Sequence, residues 1–213
     1  GIDSFSTEYQ NEPPAADSVY SFSPETVAGH LSECPVMVLP VGCTRLVEAI
    51  DIRGREIHFV VMAAKPDAAQ FAVIDYGIRR VHAPEGNLTD QSDRAVQGAL
   101  QMALLDALRQ RRMETTGGAT PYMSEDGRPV EIELHLVDSG WMTEVVYQFV
   151  RESGPRWRAV KGDQNKKGNR KYIAPLRLSG DTQSDSPNEW FAKKQPVGLW
   201  LFHLNVDHWK LFT

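Results

Sequence analysis

The chain has 213 residues, 41% of them hydrophobic and 24% charged, with a formal net charge of -5. This composition suits a water-soluble globular protein with one sizeable core and an appendage, and it excludes a uniformly basic nucleic-acid binder. No window approaches the roughly 18 unbroken apolar residues of a membrane span, and the polar start GIDSFSTEYQNEPP lacks the basic and apolar regions of a signal peptide.

A cytosolic setting is therefore expected. Cys34 and Cys43 have no Cys or His partner at metal-ligand spacing, so both read as reduced packing residues. Residues 1–40, with NEPPAADS and a helix start at Ser23-Pro24-Glu25-Thr26, read as an arm and one short helix that connect to a folded domain over 41–213.

From Arg45 the pattern sharpens. RLVEAIDI predicts a strand, Arg53-Gly54 a hairpin turn, EIHFVVMAA a second strand and QFAVIDYGI a third, which together form a meander. SDRAVQGALQMALLDALRQRR places Val96, Leu100, Ala103, Leu104 and Leu108 on one helical face, with Ser92 as its cap. VEIELHLVD then reads as a strand. The period changes at Asp138-Ser139-Gly140 into the helix TEVVYQFVRE, with Val145, Val146, Phe149 and Val150 inward. RWRAV is a short fifth strand, SGDTQSDSPNE a loop, and VGLWLFHLNVD a last strand, while residues 178–197 have no settled role.

Three meandering strands followed by helix, strand, helix and strand imply a right-handed crossover that sets the fourth strand parallel to the first. The expected fold is α/β, a ribonuclease H-like mixed sheet in the order 3-2-1-4-5 with flanking helices.

In that order Asp51, near the end of the first strand, and Asp138, at the end of the fourth, meet at one sheet edge, where strands lie about 4.8 Å apart. Two carboxylates so close repel. Hard divalent cations such as Mg²⁺ relieve that repulsion, and two ions about 3.5 to 4 Å apart activate water and stabilise a leaving oxygen in phosphodiester cleavage. The plainer alternative is that each aspartate caps a strand end or turn, since Asp-Ser-Gly is a common turn composition. Asp75, two strands from the first and so about 10 Å away, reads as structural. His135 reads as a core or cross-sheet histidine, and Lys161, ending the fifth strand, faces either a phosphate or solvent. There is no GxxxxGK[ST] phosphate loop and no nucleophile elbow.

The charge is unevenly spread. Arg151, Arg156, Arg158, Lys161, Lys166, Lys167, Arg170, Lys171 and Arg177 stand against only Glu152 and Asp163 in one stretch. That stretch is either a solvated surface or a phosphate-tracking face.

FSTEYQNEP (5–13), VEAIDIRGREIHF (47–59), VIDYG (73–77), LVDSGWMTEVVYQFV (136–150), AVKGD (159–163) and LFHLNVDHWK (201–210) occur in an order that resembles the nuclease half of the large subunit of phage terminase, in its lambda-like branch. The resemblance implies a domain that follows an ATPase motor in the same chain, works with the terminase small subunit and portal in the host cytoplasm, and cuts concatemeric double-stranded DNA. It also implies three acids holding two Mg²⁺ or Mn²⁺ ions, with Asp51 and Asp138 matching the first- and fourth-strand acids. The third should open a C-terminal helix in a motif like Asn-Glu-x-x-Asp. Asn188-Glu189 begins that motif without the aspartate, so the third ligand either lies beyond Thr213, the favoured expectation, or is Asp207.

Two functional readings follow. One is a metal-dependent endonuclease in which Asp51 and Asp138 hold metal and Lys161, Lys166, Lys167, Arg170 and Lys171 track DNA phosphates. The other is a non-catalytic docking module of the packaging machine, with a junction-resolvase-like nuclease as a more distant variant. For the first, charge reversal at Lys166 and Lys167 is expected to weaken duplex DNA binding and to lower the log-log salt slope by about 2. An unchanged slope in a salt titration removes this loop from the DNA-binding surface.

Overall fold

The computed structural model describes residues 23–31, 34–65, 70–83, 94–117, 120–164, 171–175 and 180–210. The expected cap Ser92 and the basic residues Lys166, Lys167 and Arg170 lie outside the described residues. The chain divides into two units, Gly1–Glu33 with Thr213, and Cys34–Phe212. In the first, helix α1 (Pro24–Ala28) is capped as its sequence predicts, with the Thr26 N–H donating to Ser23 Oγ at 3.1 Å.

The second unit is a mixed α/β layer. Its strands are β1 (Arg45–Arg53), β2 (Glu56–Lys65), β3 (Gln70–Arg80), β4 (Leu134–Asp138), β5 (Trp157–Asp163), β6 (Thr182–Gln183), β7 (Trp190–Lys194) and β8 (Trp200–Asn205). Its helices are α2 (Arg94–Thr115), α3 (Thr143–Ser153) and α4 (Val206–Trp209). One eight-stranded sheet runs β3-β2-β1-β4-β5-β8-β7-β6. Strands β1 to β3 form the antiparallel meander, and β1, β4, β5 and β8 are mutually parallel.

The sheet is thus wider than the five-stranded expectation. The unassigned region 178–197 supplies β6 and β7, which return antiparallel against β8 and continue the sheet past β5. Short polar strands such as Thr182–Gln183 carry little apolar period, which is why their sequence reads as loop. The fourth strand is also shorter than VEIELHLVD. Its leading residues are tied to a neighbouring loop: the Val130 N–H donates to Tyr122 O at 2.8 Å, and Thr120 Oγ1 donates to Val130 O at 2.9 Å. Between β1 and β2 the two loop residues are Gly54 and Arg55, and Gly54, at φ 60, supplies the positive φ that a two-residue hairpin needs.

Alternation along β1 sends Leu46, Glu48, Ile50 and Ile52 to the face covered by α2 and α3, and Val47, Ala49 and Asp51 to the opposite face. Leu100, Leu104 and Leu108 of α2 are fully buried, spaced one helical turn apart, and pack with Val146 and Phe149 of α3. Each such leucine contributes about 1.5–3 kcal/mol through burial. Phe149 meets Trp157 edge-on, with ring centroids 4.9 Å apart. On the opposite face, register aligns Val60 with Tyr76 and His58 with Ile78, and Phe71, Val73, Tyr76 and Ile78 of the outer strand β3 are each more than half exposed. The middle of that strand's outer edge is occupied by the Met37 N–H, which donates to Ile74 O at 2.9 Å.

The helix-covered face also holds charge. Arg111 of α2 donates through Nε to Glu48 Oε1 at 2.7 Å and through Nη2 to the Tyr122 hydroxyl at 2.8 Å. Tyr122 in turn donates to Asp75 Oδ2 at 2.8 Å. His135 Nδ1 lies 2.6 Å from Glu48 Oε2, and its ring stacks on Trp157 at 3.8 Å. Asp75 and His135 are therefore structural, as their sequence positions suggest. Both cysteines are partly exposed free thiols.

Removing one partner of a buried ion pair leaves the other uncompensated, whereas replacing both does not. Arg111→Leu is expected to cost about 3–5 kcal/mol in urea unfolding, and the double variant Arg111→Leu/Glu48→Leu to recover only part of that loss, since Asp75 still lacks the guanidinium and His135 its acceptor. Equal destabilisation by the single and double variants would show that the pair does not govern stability.

Candidate functional site

Strands β1 and β4 pair in parallel from Val47 with Leu134 up to Ile50 with Val137. Asp51 and Asp138 are the next residue on each strand, so the two carboxylates leave adjacent strands on the open face of the sheet. Both line one cleft of about 410 Å³, whose other walls are Ala49, Ile50, His58, Phe59, Val60, Leu136, Val160 and Leu204. The floor is apolar and the acids stand at its edge.

Local sequence explains the placement of Asp138. Ser139 is fully buried, and its backbone N–H and hydroxyl both donate to Val160 O at 2.8 Å, which locks the strand end to β5. The Gly140 N–H donates to Asp138 Oδ2 at 3.3 Å, and a Cβ at position 140 would lie only 3.0 Å from that oxygen. A side chain at position 140 would therefore press on the carboxylate and displace it by a few tenths of an ångström. Met142, in the left-handed region at φ 49, then turns the chain into α3, and Thr143 Oγ1 donates to Ser139 O at 2.8 Å.

Burial raises the Asp138 carboxyl above its ordinary range, and the neighbouring charge of Asp51 adds to this. The Gly140 N–H and the Lys161 ammonium pull the other way. The two acids therefore sense each other, and Lys161 offsets part of their combined charge.

His58 is a member of the cleft that sequence reasoning missed. It is the direct cross-strand partner of Asp51 and lies 3.3 Å from Glu56 Oε2. The period-2 pattern of EIHFVVMAA carries that signal, because it sets His58 on the same face as Asp51 once the hairpin register is fixed. Asp207 lies on α4, outside the lining of this cleft, and Lys171 is exposed in coil. Among the described residues, no three His, Cys, Asp or Glu side chains group so as to hold a metal ion. No helix among them is long and apolar enough to cross a membrane.

A carboxyl whose value is raised in the folded state binds its proton more tightly there than in the unfolded chain. That contribution is fully present below the unfolded value of about 3.8 and is lost as pH rises through the raised folded value. Asp138→Asn lacks the penalty, so in metal-free buffer it is expected to melt above the parent at pH 7, with the gap closing below pH 3.8. A melting difference independent of pH would show that Asp138 is not strained by its surroundings.

The profile of the terminase large subunit gpA endonuclease domain matches residues 17–211. No curated protein matches the sequence significantly. Among solved structures, the PPX-GPPA enzyme of Aquifex aeolicus overlaps at 12% identity and a TM-score of 0.35, covering 55% of this chain and 36% of that one. An exopolyphosphatase from Cytophaga hutchinsonii overlaps at 11% identity and a TM-score of 0.34, covering 55% and 35%. The chain thus spans about a third of the length of either protein, and overlaps this weak carry no argument. Matched over nearly its full length, the chain belongs to the family of terminase large subunit gpA endonuclease domains.

Proposed function

We propose that this domain is a metal-dependent endonuclease that cuts concatemeric double-stranded DNA during viral packaging, on a ribonuclease H-like sheet. The observation that carries the reading is the placement of Asp51 and Asp138 one residue beyond the Ile50–Val137 pair of two parallel strands, both lining one open cleft. Family membership supports it.

The donor set fits a hard divalent cation. Two carboxylates supply oxygen ligands, and the raised value of Asp138 beside Asp51 marks a place where added positive charge is favourable. Asp51 and Asp138 would hold Mg²⁺ or Mn²⁺, and bound ions of this kind lower the pKa of water and stabilise the charge that develops on a phosphodiester. Asp207 stands on α4 outside the cleft lining, so the two carboxylates carry the metal reading.

The chain's own groups have distinct tasks. The Gly140 N–H fixes Asp138 Oδ2, so the carboxylate is oriented before substrate arrives. The apolar floor of Ala49, Val60, Leu136, Val160 and Leu204 displaces water and strengthens electrostatic contacts above it. Lys161, whose charge already acts on Asp138, meets the scissile phosphate, while Lys166, Lys167, Arg170 and Lys171 follow the DNA backbone with little base readout. Partners on this reading are the ATPase domain of the same chain, the terminase small subunit and the portal, in the host cytoplasm.

Nicking of supercoiled plasmid with Mg²⁺ or Mn²⁺ tests the assignment. Asp51→Asn and Asp138→Asn are each expected to abolish cleavage, and Gly140→Ala to reduce metal affinity about tenfold by displacing the Asp138 carboxylate. Cleavage that persists in both aspartate variants would overturn the site.

A further inference from the structure

The open face of the sheet continues past the two acids. Asp138 pairs with Val160 of β5, and Val160 with Phe202 of β8, so Phe202 stands two strand spacings, about 10 Å, from Asp138. Val160 and Leu204 line the acid cleft, which therefore opens toward β8.

Aromatic rings collect there. Trp190 of β7 stacks on Phe202 with ring centroids 5.8 Å apart, and the Arg158 guanidinium carbon lies 5.9 Å from the Phe202 centroid. Leu201 packs in the core, so alternation sends Trp200 to the same face as Phe202. Lys194 is the cross-strand partner of Trp200 on β7, and the Ala159–Leu201 pair sets Arg158 beside Trp200 on β5. Trp200 thus has a basic residue on either flank. Trp190, Trp200 and Phe202 all remain partly exposed.

The two cations are unmatched. Among the described residues, Arg158 donates to Trp157 O at 3.3 Å, and neither it nor Lys194 has a carboxylate within ion-pair distance. Elsewhere on the same face, Arg45 is met by Glu133 at 3.7 Å and Arg80 by Glu56 at 3.6 Å. A guanidinium and an ammonium beside exposed rings form the combination that holds single-stranded nucleic acid: phosphates meet the charges and base faces lie on the aromatics.

Resting on the nuclease reading above, we propose that this platform binds unpaired nucleotides of the DNA strand beside the scissile phosphate. A base stacks on Trp200, and Arg158 and Lys194 take the adjoining phosphates. In an intact duplex the base faces are covered by their neighbours, so the platform selects strand state; stacking tolerates any base, so it reads no sequence. An apolar peptide would leave both cations without a counter-charge.

Anisotropy of a dye-labelled short oligothymidylate, titrated in EDTA, tests this. The parent protein is expected to bind it, and to bind an abasic strand of equal length and charge about tenfold more weakly. Trp200→Leu should lose about tenfold for the oligothymidylate and little for the abasic strand, with Trp200→Phe keeping most of the affinity. Arg158→Gln and Lys194→Gln should each lower the log-log salt slope by about 0.7. Equal binding of the two strands by the parent, or binding of neither, overturns the proposal, and neither result depends on a variant folding. Undiminished binding of oligothymidylate by Trp200→Leu overturns it as well. Because EDTA removes metal, these outcomes are separate from plasmid nicking: nicking indifferent to Asp51 and Asp138 overturns the nuclease site, whatever the abasic comparison gives.

Discussion

The parallel pairing of β1 with β4 is the constraint on which the site depends. It joins segments more than eighty residues apart and fixes which side chains of each share a face. Because side chains alternate, a slip of one residue in that register would turn Asp51 or Asp138 into the core and bring a buried aliphatic residue to the cleft. The register is held from both sides. Ile50, Ile52 and Val137 pack under α2 and α3, while the backbone and hydroxyl of Ser139 anchor the end of β4 to Val160. Stability and site geometry are thus carried by the same few residues.

The covered face is less uniform than its leucines suggest. Arg111 occupies a position on α2 where an aliphatic side chain would serve for packing, and it binds Glu48, Tyr122 and, through Tyr122, Asp75. This network joins α2, β1, β3 and the loop that holds Tyr122. Such an arrangement specifies how these elements meet more narrowly than apolar contact does, since each donor has one acceptor at the right place. Burial raises the Tyr122 hydroxyl well above its ordinary range, with Asp75 adding to the effect, so this hydroxyl remains a proton donor across the accessible pH range.

Much of this was legible in the sequence where periodicity was strong. The meander, both long helices and the two acids follow from alternation in RLVEAIDI and EIHFVVMAA, the leucine stripe of α2, and the change of period at Asp138. What was not legible depended on partners distant in sequence. Glu48 reads as an ordinary polar residue until Arg111 is placed over it, and His58 gains significance only when the hairpin register sets it against Asp51. Strands β6 and β7 escaped because their pairing with β8, rather than their composition, makes them strands. The strand order set Asp51 beside Asp138 and pointed to metal-assisted phosphodiester chemistry, and the family resemblance added the DNA-packaging setting and the expectation of a third acid.

The exposed side chains of β3 carry a colloidal consequence. Phe71, Val73, Tyr76 and Ile78 form an apolar row on a terminal strand, the kind of surface along which sheets of separate molecules can join. Two features work against such growth. Met37 occupies the carbonyl of Ile74 at the centre of the edge, and the ion pairs of Arg79 with Glu114 and Arg80 with Glu56 set charged groups at the end of the strand. Raised salt, which loosens such surface ion pairs, is therefore expected to favour association along this margin of the sheet.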